Sequence, residues 1–157
     1  MGKFSGGDGQ LDATGMRFAI VVARFNEAIT GELLAGCRAE LARCGTESSD
    51  VSVVWVPGAF ELPLTARVLA ASGRVDAVVC LGAIVRGDTA HFDYVAMGAT
   101  QGILQAGLDT GVPIVFGVLT VDNRQQALDR IGGSEGHKGE EAAATAIEMA
   151  HVMRSIG

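Results

Sequence analysis

Val75-Asp76-Ala77-Val78-Val79-Cys80-Leu81 is apolar at six of its seven positions and carries three valines. A run this short, continuous and β-branched reads as a strand buried on both faces. Three further runs share its character: Phe18–Ala23, Val51–Val56 and Ile114–Leu119. Helical periodicity fills the gaps between them. Residues 27–44 put Ile29, Leu33, Leu34, Cys37 and Leu41 on one face, with Asn26 placed as an N-cap and Gly45 as the stop. Residues 62–72 form a second helix, with Pro63 suited to its first turn. Residues 92–109 form a third and 123–131 a short fourth. Residues 139–155 form a last one, with Ala143, Ile147, Ala150 and Met153 on one stripe. Strand–helix alternation repeated four times predicts an α/β protein. It is a three-layer α/β/α sandwich with a four-stranded parallel sheet, and flavodoxin-like order is the simplest arrangement.

Residues 1–15 hold five glycines and read as a flexible arm, which leaves 16–157 as a single domain. The third helix is dense in small residues: Ala96, Gly98, Ala99, Gly102, Ala106 and Gly107. Each interior glycine costs about 1 kcal/mol relative to alanine. Close helix–helix approach, including approach between subunits, is the expected return.

Composition narrows the function classes. Hydrophobic residues are 48% and charged residues 19%, which excludes disorder. The net charge of −6, without a basic run, argues against general nucleic-acid binding. Any anionic ligand must be small and met by a local cluster of donors. No apolar stretch is long enough to span a membrane and none resembles a signal peptide, so a cytoplasmic location is expected. Met1-Gly2 lacks the hydroxyl residue that myristoylation needs at the sixth position, which is Gly6. Cys37, Cys44 and Cys80 form no CxxC pair and read as reduced, buried thiols.

Ligands of open parallel sheets bind outside the carboxyl ends of the strands. The four expected strand exits are Arg24-Phe25-Asn26, Pro57-Gly58-Ala59-Phe60-Glu61, Gly82 through His91, and Thr120-Val121-Asp122-Asn123. Phe25 and Phe60 suit either stacking on a planar ring or core packing. Glu61 suits either a helix N-terminus or a carboxylate that accepts ligand hydroxyls. In Arg86-Gly87-Asp88-Thr89-Ala90-His91, Gly87 permits a tight turn and Thr89 opens a helix where amides hold phosphate. His91 suits proton transfer near neutral pH. His137 and His151 read as surface residues, and no His or Cys spacing fits a metal site. A P-loop, a dinucleotide fingerprint and a nucleophile motif are all absent. The residues therefore suit cofactor-free condensation or proton-transfer chemistry on planar, hydroxylated and phosphorylated ligands.

Three segments then become recognisable: Arg24-Phe25-Asn26, Val56-Pro57-Gly58-Ala59-Phe60-Glu61-Leu62-Pro63, and Leu81 through Val95 with its Arg86-Gly87-Asp88-Thr89-Ala90-His91 core. With Phe116–Thr120, Gln126-Ala127, Arg130 and Lys138-Gly139, they closely resemble the lumazine synthase family across residues 17–155. The resemblance implies a transferase of riboflavin biosynthesis. Such enzymes condense 5-amino-6-(D-ribitylamino)uracil with 3,4-dihydroxy-2-butanone 4-phosphate, release phosphate and water, and need no cofactor. By matching positions, Phe25 stacks on the pyrimidine. Ala59, Phe60 and Glu61 line the ribityl and ring site, and Ala83, Ile84 and Val85 meet the pyrimidinedione edge. Asp88 and Thr89 lie at the phosphate end, His91 carries protons, Phe116 closes the site, and Arg130 grips the phosphate with help from Lys138. The resemblance also implies a homo-oligomer built from pentamers, with Phe116, Arg130 and Lys138 supplied by a neighbouring subunit. Many members assemble twelve pentamers into a hollow shell, and riboflavin synthase is an expected partner. Two other readings remain: a lumazine- or flavin-binding carrier without turnover, and a shell-forming protein. The chain departs from the family pattern at Val121, at Gln125 and in the turn Gly132-Gly133-Ser134-Glu135-Gly136-His137, where His137 replaces the usual Asn.

Overall fold

Phe18–Ala23 forms β1, and all six of its side chains are buried. Around it the computed structural model describes residues 11–157. The chain continues through α1 (Glu27–Arg43), β2 (Val51–Val56), α2 (Leu62–Ala71), β3 (Ala77–Val85), α3 (His91–Thr110) and β4 (Ile114–Val121). It ends with α4 (Arg124–Leu128), a small hairpin of β5 (Ile131–Gly133) and β6 (Gly136–His137), and α5 (Lys138–Ile156). The main sheet has four parallel strands in the order β2-β1-β3-β4. With helices on both faces this is the flavodoxin-like α/β/α sandwich that strand–helix alternation predicts.

Strand alternation divides the core into two layers. Phe18, Ile20 and Val22 of β1, with Val79, Leu81 and Ala83 of β3, pack under α1 and α5. Ala19, Val21 and Ala23, with Val78, Cys80 and Ile84, pack under α2 and α3. The second layer is built from smaller residues on the helices too, among them Ala66, Ala70 and Ala99. Burial of each large side chain such as Phe18 or Leu81 stabilises the fold by about 1.5–3 kcal/mol. Burial on both faces holds for β1 and β3 but fails for the edges. In β2, Ser52 and Trp55 are exposed, and in β4 so are Phe116 and Thr120. Edge position depends on strand order, and composition alone does not encode it.

The glycines of α3 find their reason inside the chain. A methyl group at Gly98 would stand 2.5 Å from the Phe60 ring, and one at Gly102 would stand 2.6 Å from Pro63. Their close approach is thus to the turn that starts α2, where the sequence reading allows a neighbouring subunit. Gly45 ends α1 as expected, at φ +102. Its amide donates to the Ala42 carbonyl and that of Thr46 to Leu41, both at 3.0 Å. That pair of bonds is the Schellman motif.

Of the expected arm, residues 1–10 lie outside the described residues. Within residues 11–15, Ala13 is fully buried and donates its amide to the Cys44 carbonyl at 2.8 Å, while Asp12, Thr14 and Gly15 are exposed. His151 is exposed as expected, with Nε2 2.6 Å from the Asp12 carbonyl. No helix among the described residues is long and apolar enough to cross a membrane.

Candidate active site

The first strand exit is shaped by Asn26. After β1 the chain stays paired for two more residues: the Arg24 amide donates to Val56 and the Phe25 amide to Pro57. Asn26 then takes a left-handed conformation at φ 63, which asparagine tolerates better than most residues. Its side chain does not cap α1, contrary to the expectation. The Asn26 Nδ2 donates instead to the Ala83 carbonyl at 2.8 Å, tying the β1 exit to β3. Phe25 is left projecting, 72% exposed.

The second exit is a 3-10 turn, Ala59–Glu61, that runs straight into α2. Glu61 does sit at the N-cap position of α2, but its carboxylate makes no capping bond and lines the cleft. Phe60 is exposed on one side while its ring edge fills the space above Gly98.

The third exit starts later than expected. Gly82 through Val85 continue β3, paired with Val118 through Val121 of β4. The register with β1 ends at Leu81, opposite Val22. Gly82–Val85 of β3 thus lie beyond the pairing with β1, and on that side the Asn26 side chain takes up the Ala83 carbonyl. Arg86 closes the strand: its amide donates to Val121, its Nε donates to Asp122 at 2.9 Å, and its guanidinium lies 4.3 Å over the Phe92 ring. The Asp122 contact raises the Arg86 pKa above its ordinary value. Gly87 does not adopt positive φ, and nothing lies where its Cβ would be, so its backbone does not require glycine as the tight-turn reading expects. Thr89 accepts the His91 amide at 3.4 Å and so marks the start of α3. His91 is the first residue of that helix and is exposed.

These exits enclose a cleft of about 700 Å³ lined by Phe25, Ala59, Phe60, Glu61, Ala83, Ile84, Val85, Thr89 and His91. Asp88 is exposed and does not line it. Phe116, Arg130 and Lys138 line a different cleft, of about 820 Å³, that runs along β4 against α5. Among the described residues none lines both. In this second cleft Arg130 Nη1 donates to the Gln126 carbonyl at 2.9 Å, and Lys138 Nζ lies 2.8 Å from Glu141. Among the described residues no carboxylate lies within 4 Å of the Arg130 guanidinium, which leaves most of its donors for an anion.

Two features of this arrangement escaped sequence reasoning. The Asn26–Ala83 bond joins residues 57 apart and leaves no local pattern. His137 is half-buried, with its Nδ1 accepting the amides of Gly139 and Glu140, so it is not simply a surface residue. Its place immediately before an apolar-periodic helix was the available signal.

Four parallel strands in this order, with helices on both faces and a cleft outside their carboxyl ends, define a flavodoxin-like protein. A model of the 6,7-dimethyl-8-ribityllumazine synthase family matches residues 15–154, and the chain belongs to that family. Membership associates it with lumazine synthase function in riboflavin biosynthesis.

Proposed function

We propose that the protein condenses 5-amino-6-(D-ribitylamino)uracil with 3,4-dihydroxy-2-butanone 4-phosphate, releasing phosphate and water. The observation that carries this reading is the gathering of Phe25, Phe60, Glu61, the end of β3 and His91 around one cleft. Phe25 offers a face for the pyrimidine ring, and the end of β3 beyond its pairing with β1 offers backbone groups other than the Asn26-bonded Ala83 carbonyl to its polar rim. Glu61 accepts ribityl hydroxyls. His91, at the mouth of the cleft, moves protons as the imine forms, as phosphate leaves and as the ring closes, a role worth about 10²–10⁴ in rate. Holding two substrates in register contributes more, up to about 7–11 kcal/mol of the barrier.

Arg130 and Lys138 supply the charge for the phosphate end, and Phe116 covers the ring. They lie in the second cleft, so a complete site needs a second copy of the chain. Exposed apolar side chains support such an assembly. Leu64 and Val68 on α2, and Leu104 and Leu108 on α3, are each more than 60% exposed. A surface of this kind in a chain of this size marks an interface. A pentamer, with each site shared by neighbours, is the arrangement proposed.

The test mixes both substrates with the protein and follows phosphate release with the appearance of the lumazine chromophore. His91→Ala and Arg130→Ala should each lose activity by about 10²-fold or more while staying folded. Wild-type rates in both variants would refute the site. A carrier of an unphosphorylated ligand would bind product without releasing phosphate and would be indifferent to Arg130→Ala.

A further inference from the structure

We propose that His137 is a positioning residue whose neutral imidazole sets the spacing of Lys138 and Arg130. The inference rests on the reading of those two residues as the anion-binding corner. Its basis is a set of contacts around one ring. His137 is the second residue of β6, paired with Ile131 of β5, so it stands directly beside the residue that follows Arg130. The Lys138 amide donates to the Arg130 carbonyl at 2.8 Å. The His137 Nδ1 accepts the Gly139 amide at 3.2 Å and the Glu140 amide at 3.4 Å, which satisfies two free donors of the first turn of α5. The ring is wedged as well as bonded. A methyl group at Gly36 of α1 would overlap it, and one at Gly139 would overlap the Leu33 carbonyl. The N-terminus of α5 therefore rests on the backbone of α1 with the imidazole as its spacer, and Lys138 and Arg130 hang from the two ends of that joint.

The chemistry of the joint depends on protonation. An Nδ1 that accepts two amide hydrogens must be unprotonated, with the ring proton on Nε2. A proton on Nδ1 would face two N–H donors and the positive end of the α5 dipole. Among the described residues no carboxylate is within ion-pairing distance of the imidazole. A ring protonated on Nδ1 could not accept the two amides, so the cap belongs to the neutral ring.

Hydrogen–deuterium exchange of the segment 137–142 and the KM for the phosphate-bearing substrate test this together at a single pH. Wild-type protein, His137→Asn and His137→Ala are compared. Asparagine offers a capping oxygen in place of the ring nitrogen. His137→Ala should lose protection of the first turn and raise KM roughly fivefold with kcat little changed. His137→Asn should restore the protection and most of the KM. A His137→Ala protein with wild-type protection, or one with lost protection and unchanged KM, would overturn the proposal. Binding of inorganic phosphate, followed by calorimetry in the same three proteins, gives a readout independent of turnover. Loss of the catalytic reading alone would leave the exchange and phosphate results standing, and wild-type exchange in His137→Ala would sink the His137 role whatever the activity.

Discussion

Asn26 shows how one residue ties strand geometry to the cleft. Its left-handed backbone turns the chain out of β1, and its amide holds β3 through the Ala83 carbonyl. Asn26→Gly keeps the backbone conformation and loses one hydrogen bond, at about 1 kcal/mol. Asn26→Ala adds the left-handed penalty and should cost about 2 kcal/mol, read as a drop in the denaturation midpoint. If alanine and glycine cost the same, the backbone strain is not the controlling term. The thiols give a second residue-scale prediction. Burial pushes Cys37 and Cys80 up to about 12, and burial with the nearby Glu40 raises Cys44. A thiol reagent near pH 8 should leave all three untouched in folded protein and react with all three after denaturation. The sign with pH follows. The unfolded chain ionises these thiols near their ordinary value of 9.0 and the folded chain does not. Their stabilisation is thus full below that value and lost as pH rises towards about 12. The sequence disclosed the buried thiols through their apolar context. It did not disclose the Asn26 bond, because capping residues and left-handed turn residues are drawn from the same small polar set.

At the scale of elements, glycines of two kinds can be told apart. Gly117 on β4 faces the Cys80 carbonyl, and a methyl there would stand 2.7 Å from that buried oxygen. Neither strand can retreat, so Gly117→Ala should destabilise by about 1–3 kcal/mol. Gly98 on α3 faces the Phe60 ring, which is exposed on its far side and can move. Gly98→Ala gains about 1 kcal/mol of helix propensity, which offsets much of the crowding. It should therefore leave the melting temperature nearly unchanged while raising KM, because the displaced ring lines the cleft. A lowered melting temperature with unchanged KM would reverse that ranking. The same contacts explain what was legible. Strands with continuous apolar runs and helices with a clear 3.6 period stand out, and β1 and β2 match their expected ranges. Gly82 looked like the end of β3 but lies inside it, where a methyl would press on Leu62 at 3.2 Å. The β5–β6 hairpin is only three and two residues long and mostly glycine, so it has no period to detect.

Across the whole molecule, the residues the sequence marks as one site, Asp88 apart, fall into two clefts. The His91 cleft is legible because its residues sit at consecutive strand ends, where the topology of a parallel sheet brings ligands. The Arg130 cleft opens along the outer strand β4, and nothing in one chain brings it to His91. If neighbouring copies complete each other, each working site draws His91 from one chain and Arg130 from the next. Two inactive variants then contain all the parts of an active one. Protein assembled from equal amounts of His91→Ala and Arg130→Ala chains forms mixed interfaces. A site is intact only where the first chain carries the Arg130 change and the second carries the His91 change. With random assembly that holds at about a quarter of the interfaces, so the mixture should regain about a quarter of wild-type activity. A site formed within one chain would regain none, since every chain would still lack one of the two groups. Charged residues placed at Leu104 and Leu108 should dissociate the assembly and, in that state, remove activity without touching either cleft. Recovery in the mixture with loss on dissociation would make the oligomer, and not the folded chain, the unit that carries the chemistry.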